Sequence, residues 1–195
     1  MQSLWSHNLL TLYYQPRLGL TKECYAEDIQ LGCSGWTYGM STIAGLMQNG
    51  DIRKALLCCG DARPQYVLSN TGDPLFGHAG TVTAIEYDEG NDGLKCHFGT
   101  DGAGYNAIIK PYGGTRNLNG MDVFSFGIST APKSVKKLAE KYSFNYLDCD
   151  YFIFHQANCK MNDKIISKLK IDPAKAPMCM SHFGNTSSAS IPLTI

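Results

Sequence analysis

The sequence has no excess charge of either sign. Its 195 residues carry 17 Lys and Arg against 17 Asp and Glu, a net charge of zero with histidine neutral, so composition gives no reason to expect a polyanionic partner such as nucleic acid. Charged residues are scarce altogether, at 17%, while hydrophobic ones make up 44%. That balance excludes a disordered chain, and neither collagen-like, low-complexity nor coiled-coil patterning is present. A packed core in one large domain or two small ones is expected. The C-x-x-C spacing is also missing: none of the eight cysteines has it, and their density falls short of a disulfide scaffold. Reduced thiols are expected, with Cys58 and Cys59 adjacent in an apolar run and Cys24, Cys96, Cys149, Cys159 and Cys179 scattered as small buried hydrophobes. His97 and His182 stand at no finger-like spacing from these thiols, so no metal site is expected.

A targeting segment is not evident either. Met1 to Tyr14 is apolar but holds Ser6, His7 and Asn8, and lacks a basic start and a small-residue cleavage signature. The stretch from Ile29 to Gly50 is free of charge, yet it contains five glycines with Gln30, Gln48 and Asn49, which suits a buried segment of a soluble protein and not a membrane span.

What is present alternates strand and helix signals. Gly35 to Gln48 places Trp36, Met40, Ile43, Ala44, Leu46 and Met47 around nearly the whole circumference of a helix, which predicts a helix buried all round. Asn49-Gly50-Asp51 stops it, and Lys54 to Gly60 is the apolar run of a strand covered on both faces. Thr81 to Tyr87 predicts another strand. The dense turn signal Asp88 to Gly93 marks a boundary between a first half, residues 1–88, and a second, residues 89–195. Leu94 to Phe98 and Ala107 to Lys110 are strand candidates, followed by a polar stretch from Gly113 to Gly120. Ser129 to Lys141 predicts an amphipathic helix capped by Ser129 or Thr130 with Pro132 in its first turn. Asp150 to Phe154 reads as a strand, after which Met161, Ile165, Ile166 and Leu169 share one helical face. The class is α/β layering. Both ends are apolar and uncapped, which predicts a chain cut from a longer domain.

Three segments put a reactive or polarising side chain among small residues at an element boundary. In Leu31-Gly-Cys33-Ser-Gly-Trp36, Cys33 enters a helix, where the positive end of the dipole and free N–H groups favour a thiolate nucleophile. In Phe154-His155-Gln-Ala-Asn158, His155 follows a strand and precedes a helix, where open α/β sheets place ligand-contacting groups. In Phe183-Gly-Asn185-Thr-Ser-Ser-Ala-Ser190, Asn185 offers a carboxamide donor from a glycine-tight turn. A thiol, an imidazole and a carboxamide brought together can perform acyl transfer and stabilise an oxyanion.

The ordered set CSGWTYGM, LFGHAG, YFIFHQAN and HFGNTSSASIP resembles the β-ketoacyl-acyl-carrier-protein synthase III family of the thiolase superfamily. The resemblance implies a thiolase-like layered αβαβα fold, here incomplete and matching the middle part of such an enzyme. It implies Cys33 as the acylated nucleophile, and His155 with Asn185 as the pair serving decarboxylation. Asn158 and Lys160 then lie near the coenzyme A or pantetheine arm. Further implications are a cofactor-free, cytoplasmic homodimer acting on acyl-CoA and malonyl-acyl-carrier protein in fatty acid biosynthesis, with no nucleic acid or membrane partner. Two departures stand out: Lys160 replaces the family's usual Arg, and Phe76-Gly-His78-Ala-Gly80 replaces its FGDGA, with consequences for the local turn. The alternatives are a sister synthase of the superfamily, of the type III polyketide or 3-hydroxy-3-methylglutaryl kind, and a shortened non-catalytic paralogue with an interaction role.

Overall fold

The computed structural model describes residues 10–61, 75–109 and 117–195. Helix α1 spans Leu10–Arg17, its first amides held by the Asp28 carboxylate at 2.5 and 3.1 Å. A single 3₁₀ turn, Gly32–Ser34, runs directly into α2, Gly35–Met47. Strands β1 (Lys54–Asp61) and β2 (Ala79–Glu86) pair antiparallel, with Leu57 opposite Thr83 and Cys59 opposite Thr81. The short β3 (Ile108–Ile109) pairs with β4 (Asn117–Leu118), and α3 follows over Gly120–Lys141. Then come α4 (Cys159–Leu169), the single-turn α5 (Met180–Phe183), a 3₁₀ turn at Ser187–Ala189, and α6 (Ser190–Thr194).

Alternation decides which face of the hairpin is covered. Ala55, Leu57 and Cys59 turn towards α2, while Leu56, Cys58 and Val82 lie exposed on the other face. The doubly covered strand expected over Lys54 to Gly60 is therefore covered on one face among the described residues. The same holds for α2, expected to be buried all round. Only Gly35, Gly39 and Met47 are fully buried, because only the side facing β1 and the Ser187–Ala189 turn is packed. There the approach is close: a Cβ on Gly39 would stand 2.7 Å from a methyl of Leu57. Trp36 ties helix to sheet through an indole N–H donated to Thr83 Oγ1 at 2.9 Å.

The core lies in the second half. Phe152, Met161, Ile165, Ile166, Leu169, Ile171 and Ala176 are buried together, and Val123, Phe124, Ile128, Ala131 and Val135 of α3 pack on them. The apolar face read from α4's periodicity is thus the buried one, and each of its large side chains contributes roughly 1.5–3 kcal/mol on burial. Asn158 caps α4 by accepting from Met161 N–H at 3.3 Å, and Lys170 closes it in the left-handed conformation at φ 56°.

Three expectations are corrected. Helix α3 begins at Gly120, not near Ser129, because Asn119 caps it reciprocally: Asn119 Oδ1 accepts from Asp122 N–H and its Nδ2 donates to the Asp122 carboxylate. Pro132 consequently lies inside the helix, where it withholds an amide from the carbonyl of Ile128. Lys168 of α4 supplies the missing donor, its Nζ lying 2.9 Å from Ile128 O. Leu94 to Phe98 forms no strand, since the N–H and C=O of Cys96 are taken by side chains from the end of α3. Tyr142 Oη accepts the former and donates to the latter, and Lys141 Nζ also reaches the carbonyl at 3.0 Å. Asp150 to Phe154 lacks a ladder as well. Among the described residues its one backbone bond across to a neighbouring segment is Phe152 N–H to Lys175 O at 2.8 Å. The Asp88 to Gly93 turn is as expected, with Asp88 and Asn91 side chains accepting from Gly90 and Gly93 N–H. Of the polar stretch from Gly113 to Gly120, residues 113–116 lie outside the described residues, as does Lys110.

Candidate active site

The centre of the site is the segment from Gly184 to Ser190, which is pinned from the first half. Asn185 N–H donates to Leu75 O at 2.7 Å, and Gly77 N–H donates to Asn185 O at 3.0 Å, forming a parallel bridge between Phe76 and Asn185. Two glycines make this possible. Gly184 sits at φ 66°, a left-handed conformation that disfavours other residues, and a Cβ at Gly77 would collide with the carbonyl oxygen of Phe183. The turn thus forms with His78 in place of an acidic residue.

From this anchored segment two serines reach in different directions. Ser187 Oγ lies 3.7 Å from Cys33 Sγ, and Ser190 Oγ lies 2.6 Å from His155 Nδ1. Cys33 sits in the 3₁₀ turn that opens α2, as its sequence context predicts. The approach is tight: a Cβ on Gly35 would stand 3.3 Å from Ser188 Cβ. Asn185 is 5% exposed, and its Oδ1 accepts from Ser187 N–H at 2.9 Å. That bond orients the carboxamide and leaves its NH₂ group as a donor with no partner among the described residues. Ser187 itself stands at φ 55°, a left-handed conformation worth on the order of 1 kcal/mol of strain for a residue with a side chain. The Asx-type bond to Asn185 helps hold it there.

His155 is held from both ends. Its carbonyl accepts from Ala157 N–H at 3.0 Å and from the buried Asn162 amide at 3.2 Å, while its ring meets Ser190. Burial removes water from the imidazole and pulls its pKa from 6.5 down to about 4, so the ring is neutral at pH 7. A neutral ring with one N–H can donate a hydrogen bond without carrying charge into the site. Gln156, next along, is 1% exposed and donates to Phe154 O at 2.8 Å.

One segment therefore contacts Cys33 and His155 and itself carries Asn185. Of the remaining expected site residues, Asn158 spends its carbonyl on capping α4, and Lys160 is exposed in that helix's first turn. The sequence alone assigns no role to Ser187 or Ser190. Serines stand two and five places after Asn185, but nothing local says which side chain each touches. Among the described residues no group of three His, Cys, Asp or Glu side chains could hold a metal ion, and no helix is long and apolar enough to cross a membrane. None of the eight cysteines is disulfide-bonded.

The residues that build this geometry are also those matched by known proteins. Residues 27–102 match the family model for 3-oxoacyl-(acyl-carrier-protein) synthase III, and residues 139–195 match the model for the C-terminal part of the same family. The chain belongs to the 3-oxoacyl-(acyl-carrier-protein) synthase III family. It is 29% identical to β-ketoacyl-(acyl-carrier-protein) synthase III 2 of Staphylococcus epidermidis over 94% of this chain and 60% of that one. It is 28% identical to the synthase III of Streptococcus pneumoniae, covering 93% of this chain and 60% of the other. Among solved structures, a 3-oxoacyl-(acyl-carrier-protein) synthase of Burkholderia xenovorans superposes with a TM-score of 0.85 at 28% identity, covering 98% of this chain and 61% of that one. The fold is accordingly α/β and thiolase-like. The chain spans about 60% of the length of the curated relatives it matches.

Proposed function

We propose that the protein is a condensing acyltransferase that joins an acyl-CoA primer to malonyl-acyl-carrier protein with loss of carbon dioxide. The observation that carries the reading is the Gly184 to Ser190 segment, which meets Cys33 Sγ through Ser187 and His155 Nδ1 through Ser190, while the Asn185 amide NH₂ has no partner among the described residues. In this scheme the Cys33 thiolate attacks the acyl thioester, the tetrahedral oxyanion is held by backbone N–H groups, and coenzyme A leaves as its thiolate. The malonyl thioester then loses carbon dioxide, and the enolate oxygen accepts hydrogen bonds from His155 and Asn185. The enolate carbon attacks the Cys33 thioester, giving a 3-oxoacyl-acyl-carrier protein and regenerating the thiolate. A neutral imidazole and a carboxamide suit this role because neither adds negative charge beside the enolate. Asn158, through its Nδ2, and the exposed Lys160 would meet the pantetheine arm and its phosphate.

The same reading makes the enzyme a cytoplasmic homodimer working in fatty acid biosynthesis without a further cofactor, with its two halves meeting near residue 88. Intact-mass measurement after incubation with acyl-CoA tests the first step, and a malonyl-dependent condensation assay tests the second. His155→Ala and Asn185→Ala should each lower condensation about 10²-fold, comparable to loss of one oxyanion donor, while acyl transfer to Cys33 continues. Equal loss of both steps in folded variants would refute separate roles, and no acylation of Cys33 at all would favour a non-catalytic paralogue.

A further inference from the structure

We infer that Ser190 is a positioning residue that fixes the proton of His155 on Nε2, an inference that rests on the condensing role proposed above. Ser190 is completely buried. Its hydroxyl has one hydrogen to give and two lone pairs to receive, and one lone pair is already used, because Gln156 N–H donates to Ser190 Oγ at 3.3 Å. His155 Nδ1 is 2.6 Å away on the other side. A neutral imidazole carries a single proton, so two arrangements exist. With the proton on Nδ1, Ser190 Oγ would accept twice and its own hydrogen would have no acceptor among the described residues, leaving a buried hydroxyl unsatisfied. With the proton on Nε2, Ser190 accepts from Gln156 and donates to Nδ1, and every group is paired. The second arrangement is selected.

The consequence falls on the other end of the ring. Nε2 has no partner in the described structure, and the tautomer chosen by Ser190 makes it a donor. An enolate oxygen needs a donor at that point. The opposite tautomer would present a lone pair and repel it. Ser190 is held for this task by its place at the start of α6, where its carbonyl accepts from Thr194 Oγ1 at 2.7 Å. His155 is in turn held by the bonds to its carbonyl from Ala157 and Asn162. Ser190 touches no substrate in this scheme. It acts through His155.

The test is a long-range proton–nitrogen NMR correlation on the intact protein labelled with ¹⁵N-histidine, near pH 7, with His155→Gln used to assign the signal. The expected wild-type pattern is a protonated Nε2 and an unprotonated Nδ1 for His155. Ser190→Ala should shift that signal towards a mixture of tautomers and lower the ratio of condensation to Cys33 acylation by at least tenfold. A wild-type His155 protonated at Nδ1 overturns the inference whether or not the variant folds, as does an unchanged tautomer and ratio in folded Ser190→Ala. If the wild type shows the Nε2 tautomer but never consumes malonyl-acyl-carrier protein, the proposed function fails while the assignment of Ser190 to the tautomer stands.

Discussion

The half-buried imidazole of His155 makes a quantitative claim on stability. His155 moves from its ordinary value of 6.5 to about 4 because folding strips water from the ring and penalises the charged form. Between those two values the unfolded chain binds a proton that the folded chain refuses. Stability therefore rises with pH through this window. The full contribution is present above about pH 6.5 and is lost progressively as pH falls towards 4. A displacement of this size corresponds to about 3 kcal/mol, a sizeable share of the roughly 5–15 kcal/mol that holds a typical protein folded. Urea unfolding of the wild type and of His155→Gln, followed by tryptophan fluorescence from pH 4 to 8, isolates the effect. Other titrating groups contribute to both proteins, so the difference between the two curves belongs to residue 155. That difference should be flat above pH 7, and the wild type should then lose about 3 kcal/mol relative to the variant by pH 4. A difference that stays flat over the whole range would show that the ring is charged or hydrated in the folded protein, and would remove the neutral donor on which the proposed enolate contact depends.

How much of this was legible beforehand divides by the range of the interaction. The apolar face of α4, the glycine-tight turn before Asn185 and the entry of Cys33 into a helix are set within a few residues of chain, and periodicity or capping chemistry reveals them. The start of α3 was also written locally, as Asn119 three residues before Asp122, but Gly120, Gly127 and Pro132 mask it by propensity. Two of those breakers are tolerated for tertiary reasons. A Cβ on Gly127 would collide with Met161 Sδ, so glycine lets the two helices close, and Lys168 repairs the carbonyl that Pro132 orphans. Leu94 to Phe98 and Asp150 to Phe154 have strand-like patterns, yet a pattern specifies only a willingness to pair, and among the described residues side chains at Cys96 and the bond from Phe152 N–H to Lys175 O take up backbone groups instead. The serines illustrate the same limit within the site. Their spacing from Asn185 is visible, but Cys33 and His155 are 154 and 35 residues away from them.

Three further outcomes follow from the same contacts. Leu169 is fully buried in the second-half core, so Leu169→Ala should cost about 3 kcal/mol in urea unfolding; a loss below about 1 kcal/mol would mean the α3–α4 interface is loosely packed. Burial pushes the Cys59 thiol up, helped by the charge of its neighbour, and partial desolvation against the sheet also raises the exposed Cys58, so peptide mapping after brief iodoacetamide treatment near pH 7 should find Cys33 labelled before either, and labelling of Cys59 first would contradict its placement on the packed face of the hairpin. The last concerns the bridge that anchors the site. Gly77 leaves no room for a methyl group against the Phe183 carbonyl, and backbone on both sides fixes the approach, because Gly77 N–H is bonded to Asn185 O and Asn185 N–H to Leu75 O. Gly77→Ala must therefore push the Gly184 to Ser190 segment away from the first half, at an overpacking cost of about 2 kcal/mol. Because Ser187 and Ser190 ride on that segment, the displacement should disturb the surroundings of Cys33 and His155 together. Both acyl transfer and condensation should fall at least tenfold in protein that still folds by circular dichroism, unlike Asn185→Ala, which should spare acyl transfer. If Gly77→Ala retained full activity in both steps, the Phe76–Asn185 bridge would not be what sets the site's geometry, and the segment would have to be held by contacts on its other side alone.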